Sequence, residues 1–132
     1  MSQIELARAY FYEFFSTPLL FSDEAAFVRW QKQAQILSQN LLDESLESDF
    51  KALLEFDYAS FKAEQNAVFF DLSYVNVPLS ASFYDEGRDD GQMKLLACEL
   101  VRKSPFRKDE KCRQSEDEFS FAFGFCASVL KD

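Results

Sequence analysis

Asn76-Val77-Pro78-Leu79-Ser80-Ala81-Ser82-Phe83-Tyr84-Asp85-Glu86-Gly87 is the stretch that sorts the rest of the chain. It holds one of only three prolines and one of only three glycines, and helical periodicities flank it on both sides. Proline has no amide proton for a helical bond and biases the preceding residue toward extended backbone. Val77, Leu79, Phe83 and Tyr84 are too apolar for a casual solvent loop. The stretch therefore reads as an ordered connector, pinned by its aromatics against helices on both sides. Ordered loops on rigid scaffolds often carry binding residues. A connector that merely plugs the core is the competing reading.

Upstream, Ser2 and Glu5 have the spacing of a capping box, which satisfies early helix amides reciprocally. A helix is expected over about residues 3–15, with Ile4, Ala7, Phe11, Phe14 and Phe15 on one face and Leu6 and Tyr10 beside it. Pro18 ends it. The aromatic density exceeds what one packing face needs, so this helix should lie between neighbours. Ser22 or Asp23 caps a second helix over about 24–42, whose seam is Phe27, Trp30, Ala34, Leu37 and Leu41. Trp30 reads first as a core anchor and second as a ligand platform. A third helix runs from Ser45 or Ser48 to about residue 63, with the stripe Leu46, Phe50, Leu53, Leu54, Tyr58 and Phe61. Asp57 falls close to that apolar stripe, where a carboxylate needs a partner because burying it alone is costly. Residues 67–74 read as a helical turn or two.

Downstream, Gly87 permits a sharp turn and Asp89 or Asp90 can cap a fourth helix to about residue 103. Met93, Leu96, Ala97, Leu100 and Val101 are expected to face inward, and Pro105 stops the helix. Residues 106–113 form a basic loop that reads as solvated. A phosphate or nucleotide site there lacks the glycine-rich motifs that cradle phosphates. Ser115 and Glu118 repeat the capping-box spacing before a last helix over about 116–130. Phe119, Ala122, Phe123, Cys126 and Leu130 cover one side of it, and Phe121, Phe125 and Val129 another. A helix apolar nearly all round is buried or lacks a cover. A second copy packed through residues 116–130 as a two-fold homodimer would supply that cover.

Composition bounds the answer. The 132 residues suffice for one domain, residues 1–132. At 48% hydrophobic, with 16 phenylalanines, the chain is not disordered. Three glycines and three prolines are too few for the turns of an all-β fold. The fold class is all-α, a helical bundle of about five main helices. The net charge of −9 repels phosphate backbones, which argues against nucleic acid as a partner. Charge is also segregated. Residues 46–91 carry three basic and ten acidic side chains, hence −7, and residues 92–114 carry seven basic and three acidic, hence +4. Three widely spaced cysteines and no histidine give neither a disulfide framework nor a metal-ligand pattern, and fit a reducing cytoplasm. No signal peptide and no apolar run long enough to span a membrane is read in the sequence.

In three places the chain resembles the TorD/DmsD/NarJ family of redox-enzyme maturation chaperones. The first is the aromatic opening helix, residues 6–15, followed by Pro18-Leu19. The second is Asp57-Tyr58-Ala59-Ser60-Phe61, leading to Pro78, Ser82-Phe83-Tyr84 and Gly87. The third is Gln114-Ser115-Glu116-Asp117-Glu118-Phe119 before an apolar helix. There the family shows Glu-Pro-x-Asp-His. Asp117 keeps the acidic residue, while Glu118 stands where the family has histidine and Ser115 where it has proline. The family continues through further helices, so the resemblance implies an N-terminal portion or a short member.

The resemblance implies a cytoplasmic, non-enzymatic chaperone without a cofactor of its own. Its partner would be the N-terminal leader, often a twin-arginine signal peptide, of a molybdopterin-dependent oxidoreductase subunit, held until cofactor insertion and folding are complete. Connector composition and resemblance together nominate Pro78, Ser82, Tyr84 and Asp117 as peptide-binding, with Trp30 and Asp57 behind them. Two other classes stand beside this one. A generic helical adaptor or assembly protein fits the same composition. An acid–base or metal-dependent enzyme would use Glu116, Asp117 and Glu118, although acids in the first turn of a helix are expected for dipole reasons alone.

Overall fold

The computed structural model describes residues 2–20, 23–41, 43–70 and 77–132. Ser22 as a cap, Leu42 as a helix end, the second half of the 67–74 segment and Asn76 of the connector lie outside the described residues. Among the described residues the protein is all-helical, with seven α-helices: α1 (Gln3–Ser16), α2 (Glu24–Leu37), α3 (Glu47–Glu55), α4 (Tyr58–Gln65), α5 (Ala81–Glu86), α6 (Gln92–Lys103) and α7 (Phe119–Lys131). One isolated antiparallel bridge, Ser80 with Glu118, is the extended pairing described.

Local chemistry explains most boundaries. At the start of α1 both halves of the capping box form: Glu5 N–H donates to Ser2 Oγ at 3.2 Å, and Ser2 N–H to Glu5 Oε2 at 2.9 Å. Asp23 Oδ1 accepts from Ala26 N–H at 2.8 Å to start α2. That helix ends at Leu37, earlier than its apolar seam predicts, because Ser38 Oγ donates back to the Gln35 carbonyl at 2.7 Å and offers the backbone a turn instead. Leu41 still packs on the core from beyond the helix.

The expected third helix is two helices. Phe56 and Asp57 are extended, and Asp57 caps α4 by accepting from Ser60 N–H at 2.7 Å. Asp57 is thus an exposed cap, not a carboxylate on the apolar face. The break, together with α5 inside the connector, raises the helix count from five to seven.

The core is aromatic. Phe11, Phe14, Phe27, Trp30, Ala34 and Phe50 are buried together, with Leu53, Tyr58 and Phe61 packed against them. Phe14 stacks on Trp30 at 5.0 Å and on Phe50 at 5.3 Å between ring centroids. The Trp30 indole Nε1–H donates to the Phe14 carbonyl at 2.9 Å. Trp30 is therefore a core anchor, the first of its two readings. Gln65, 3% exposed, donates through Nε2 to the carbonyls of Pro18 (2.7 Å) and Leu20 (2.8 Å), so its buried amide is satisfied while it ties α4 to the chain after α1.

The other side of α1 carries α7. Tyr12 meets Phe123 at 5.8 Å, Ser16 Oγ donates to the Ser120 carbonyl at 2.9 Å, and Lys131 pairs with Glu13. The opening helix thus lies between neighbours. The basic loop is not simply solvated: Phe106 packs edge-on against Phe125 at 6.3 Å, and Lys108 Nζ lies 5.8 Å from the Phe121 ring centre. Part of the second apolar side of α7 is covered in this way by the chain's own loop. On α6 the expected inward stripe is only partly inward. Val101 is buried, but Leu96 and Leu100 are exposed, as is Leu95 beside them.

Candidate functional site

The connector closes on the start of α7 through its backbone. Phe119 N–H donates to the Leu79 carbonyl at 2.9 Å, and Ala81 N–H to the Asp117 carbonyl at 3.0 Å. This pairing holds Glu118 extended. It delays α7 to Phe119, three residues beyond the predicted start. The Ser115 and Glu118 box is half made: Ser115 N–H donates to Glu118 Oε1 at 3.2 Å and closes a turn before the helix.

Side chains then lock α5 and α6 to this junction. Ser80 caps α5 through Phe83 N–H at 3.2 Å and donates to Asp89 Oδ1 at 2.5 Å. Gly87, at φ +76°, supplies the left-handed residue that ends α5. Ser82, fully buried, donates its N–H to Asp117 Oδ2 at 2.9 Å and accepts Lys94 N–H on Oγ at 3.2 Å. Neither Asp89 nor Asp90 caps α6. Gly91 occupies that position, and Glu86 Oε2 accepts Gln92 N–H at 2.5 Å in place of a local cap. A Cβ at Gly91 would lie 1.9 Å from that same oxygen, so a larger residue would displace the Glu86 carboxylate from this amide.

The result is a cavity of about 280 Å³ lined by Leu79, Ser80, Asp89, Asp90, Ser115, Asp117 and Glu118. Tyr84 stands at the junction, 61% exposed, its hydroxyl donating to the Pro78 carbonyl at 3.0 Å and its ring 5.9 Å from Phe119. Phe83 and Val77 are exposed nearby in the chain.

The acids here differ in their surroundings. Asp90 pairs with Lys94 at 2.9 Å, and that hydrogen bond holds its carboxyl below the usual range. Glu116 turns away from the cavity lining to the Cys98 thiol and to Lys108 at 2.6 Å, and the thiol first, then the ammonium, holds it below the usual range. Burial pushes the Cys98 thiol up, with Glu116 adding to the shift, so the neutral thiol is favoured. Glu118 is pushed above its ordinary value of 4.5, first by burial and then by the charges of Asp89 and Asp117. The three consecutive acids therefore take three different sets of partners, and only Asp117 and Glu118 share the cavity. Among the described residues no group of three or more Asp, Glu, Cys or His is placed to hold a metal ion.

Because Glu118 is raised in the folded state, its neutral form is the one the fold favours. Its stabilising contribution is complete below the ordinary glutamate pKa and is lost as pH rises through the raised value. Glu118→Gln, which keeps an oxygen for Ser115 N–H, should therefore raise the thermal midpoint at neutral pH by roughly a few degrees. In mild acid the variant and the parent should melt together. A gain of equal size at both pH values in calorimetry would assign the effect to something other than ionisation.

Four of the six nominated residues, Pro78, Ser82, Tyr84 and Asp117, meet at this junction. Trp30 lies in the core and Asp57 caps α4, so neither belongs to it. Ser82 is enclosed, and its part here is to hold Asp117 and the start of α6. Sequence reasoning missed Ser80, Asp89, Asp90 and Glu118 as cavity lining. The Asp89-Asp90 pair before Gly91 was the available signal, but it read as a local helix cap.

Seven helices among the described residues, on an aromatic core and with a connector paired to the start of the last, define an all-helical protein of a fold already known. The fold is similar to a solved structure from Archaeoglobus fulgidus provisionally named a redox enzyme maturation protein, with a TM-score of 0.73 over 93% of this chain and 72% of that one. The two sequences are 18% identical, so the likeness is one of fold. No protein-family profile and no curated protein sequence matches the chain.

Proposed function

We propose that this protein is a maturation chaperone that binds the N-terminal leader of a molybdopterin-dependent oxidoreductase subunit, of the twin-arginine type, and holds it before cofactor insertion and folding are complete. The observation that carries this reading is the acidic cavity beside exposed Tyr84 and Phe83 on an ordered connector. A leader joins arginines to an apolar run. The acidic walls suit the first, and the aromatic rim suits the second. Similarity of fold to a protein named for redox enzyme maturation supports the same role. The place of action in this reading is the cytoplasm. No described helix is long and apolar enough to cross a membrane.

Calorimetric titration with a synthetic leader tests it. Tyr84→Ala should weaken binding by about tenfold and leave the helical spectrum intact, since Tyr84 is a surface ring of the kind that dominates interfaces. Unchanged affinity would remove the connector from the binding surface. The association rate should fall as salt rises, because exposed charges are screened beyond about 10 Å at 0.1 M. A salt-independent rate would mean that the apolar run alone recruits the leader. Affinity capture separates this role from that of a general adaptor: a molybdoenzyme catalytic subunit is the expected partner, and consistent recovery of unrelated proteins would favour the adaptor.

The same reading includes self-association through residues 116–130. What favours it is an open cleft of about 360 Å³ between Val101, Phe106, Phe121, Gly124 and Phe125, together with exposed Val129. Light scattering at micromolar concentration should give a dimer mass. A monomer mass persisting over a tenfold rise in concentration would end this part of the proposal.

A further inference from the structure

The break between α3 and α4 leaves an opening over the aromatic core. α3 ends at Glu55, Phe56 is extended, and Asp57 caps α4. Between the two helices lies a notch of about 240 Å³, lined by Trp30, Leu53, Phe56 and Phe61, with Ala52, Asp49 and Glu64 completing it. Its apolar walls are held from behind. Phe61 stacks on Phe27 at 5.0 Å and lies 5.1 Å from Trp30, ring centre to ring centre. The Gln31 side-chain amide donates to the Phe56 carbonyl at 2.7 Å and ties the linker to α2. Phe56 nonetheless stays 39% exposed, so the wall it forms has no cover within the chain. The notch is smaller than pockets that enclose a whole drug-sized ligand, and suits one bulky side chain.

Charge selects what carries that side chain. Residues 43–64 hold seven acidic and two basic side chains, hence −5. Lys51 pairs with Glu47, and Lys62 bonds to the Gln65 side chain. Asp49 on α3 and Glu64 on α4 are exposed, and neither has a salt-bridge partner among the described residues. An apolar notch between two anionic arms is complementary to an apolar side chain carried between cations. Its place in the fold separates it from the connector junction. The core behind the notch packs on one side of α1, and α7 packs on the other with the connector paired to its start. We propose that the notch docks one leucine or phenylalanine side chain, flanked by lysine or arginine, on a partner segment separate from the leader. The inference does not rest on the leader reading.

Trp30 is the chain's single tryptophan and lines the notch, so its emission reports on an occupant. The probe is the pentapeptide amide Lys-Lys-Phe-Lys-Lys, followed by Trp30 fluorescence and by calorimetry. It should bind saturably and change the emission. Alanine in place of its phenylalanine should weaken binding by about tenfold or more, the value of burying one aromatic ring. Glutamates in place of its lysines should abolish binding. Asp49→Asn and Glu64→Gln should each weaken it by roughly two- to fivefold at low salt, as rim charges do. Ala52→Leu, at an exposed position of α3, narrows the notch and should abolish binding while the helical spectrum is kept. Heat released without an emission change, equal binding of the alanine or glutamate peptide, undiminished binding by Ala52→Leu, or no binding in either measurement overturns the pocket. A synthetic leader should bind Ala52→Leu as it binds the parent. Loss of leader binding in that variant would give the notch to the leader and overturn a separate segment. Pentapeptide binding with no leader binding would leave the pocket standing and refute the leader reading.

Discussion

Trp30→Ala should destabilise the protein by about 3–5 kcal/mol, the cost of emptying a well-packed aromatic site. Trp30 is 5% exposed and touches three helices' worth of rings: Phe14 on α1, Phe27 on its own helix and Phe61 on α4. Its indole N–H also satisfies the Phe14 carbonyl, so truncation removes a hydrogen bond along with the ring. Small domains have only about 5–15 kcal/mol in total, so much of the population could unfold. Trp30→Phe keeps most of the apolar volume and drops the donor, and should cost markedly less. Urea unfolding followed by circular dichroism measures both. A Trp30→Ala variant as stable as the parent, but weaker for leader peptide, would restore Trp30 as a ligand platform.

Asp117→Ala should cost about 1–3 kcal/mol, because the buried Ser82 amide would lose its acceptor. The effect should be felt at a distance. Ser82 Oγ also receives the Lys94 amide, so loosening Ser82 loosens the first turn of α6. Asp117→Asn separates the two roles of this residue. Its carbonyl can still accept from Ser82, so stability should be kept, while the negative charge beside the cavity is gone. Chemical denaturation and leader titration on the same pair of variants give the test. Equal loss of stability in both would mean that the charge holds the junction together, and would remove the basis for separating fold from binding at this site.

The sequence by itself determined the helical class and the core. Phe11, Phe14, Phe27, Trp30, Ala34 and Phe50 sit at helical spacings on single faces, and those six became the buried cluster. Periodicity suffices there because a helix face is a property of near neighbours in the chain. Ser2 with Glu5, Asp23 and Gly87 were legible for the same reason, since each acts on amides within a few residues. The Phe56–Asp57 break shows the limit of that reasoning. The apolar stripe runs on in register across it, while Asp57 and Ser60 carry the cap that divides it.

What tertiary structure decided is the site. The sequence placed Pro78, Ser82 and Tyr84 on an ordered connector and Asp117 at the head of a helix, but nothing local joins residues 35 apart. The Leu79 and Asp117 carbonyls do so by accepting amides across the junction, and that pairing overrides the predicted start of α7. Asp89 and Asp90 look like caps for the helix that follows them, yet α6 is capped by Glu86 and Ser82 from α5. Freed from capping, those two acids join Asp117 and Glu118 around one cavity. Local spacing fixes which residues share a helix face. Which distant amides a carboxylate satisfies depends on packing that brings the two ends of the connector together.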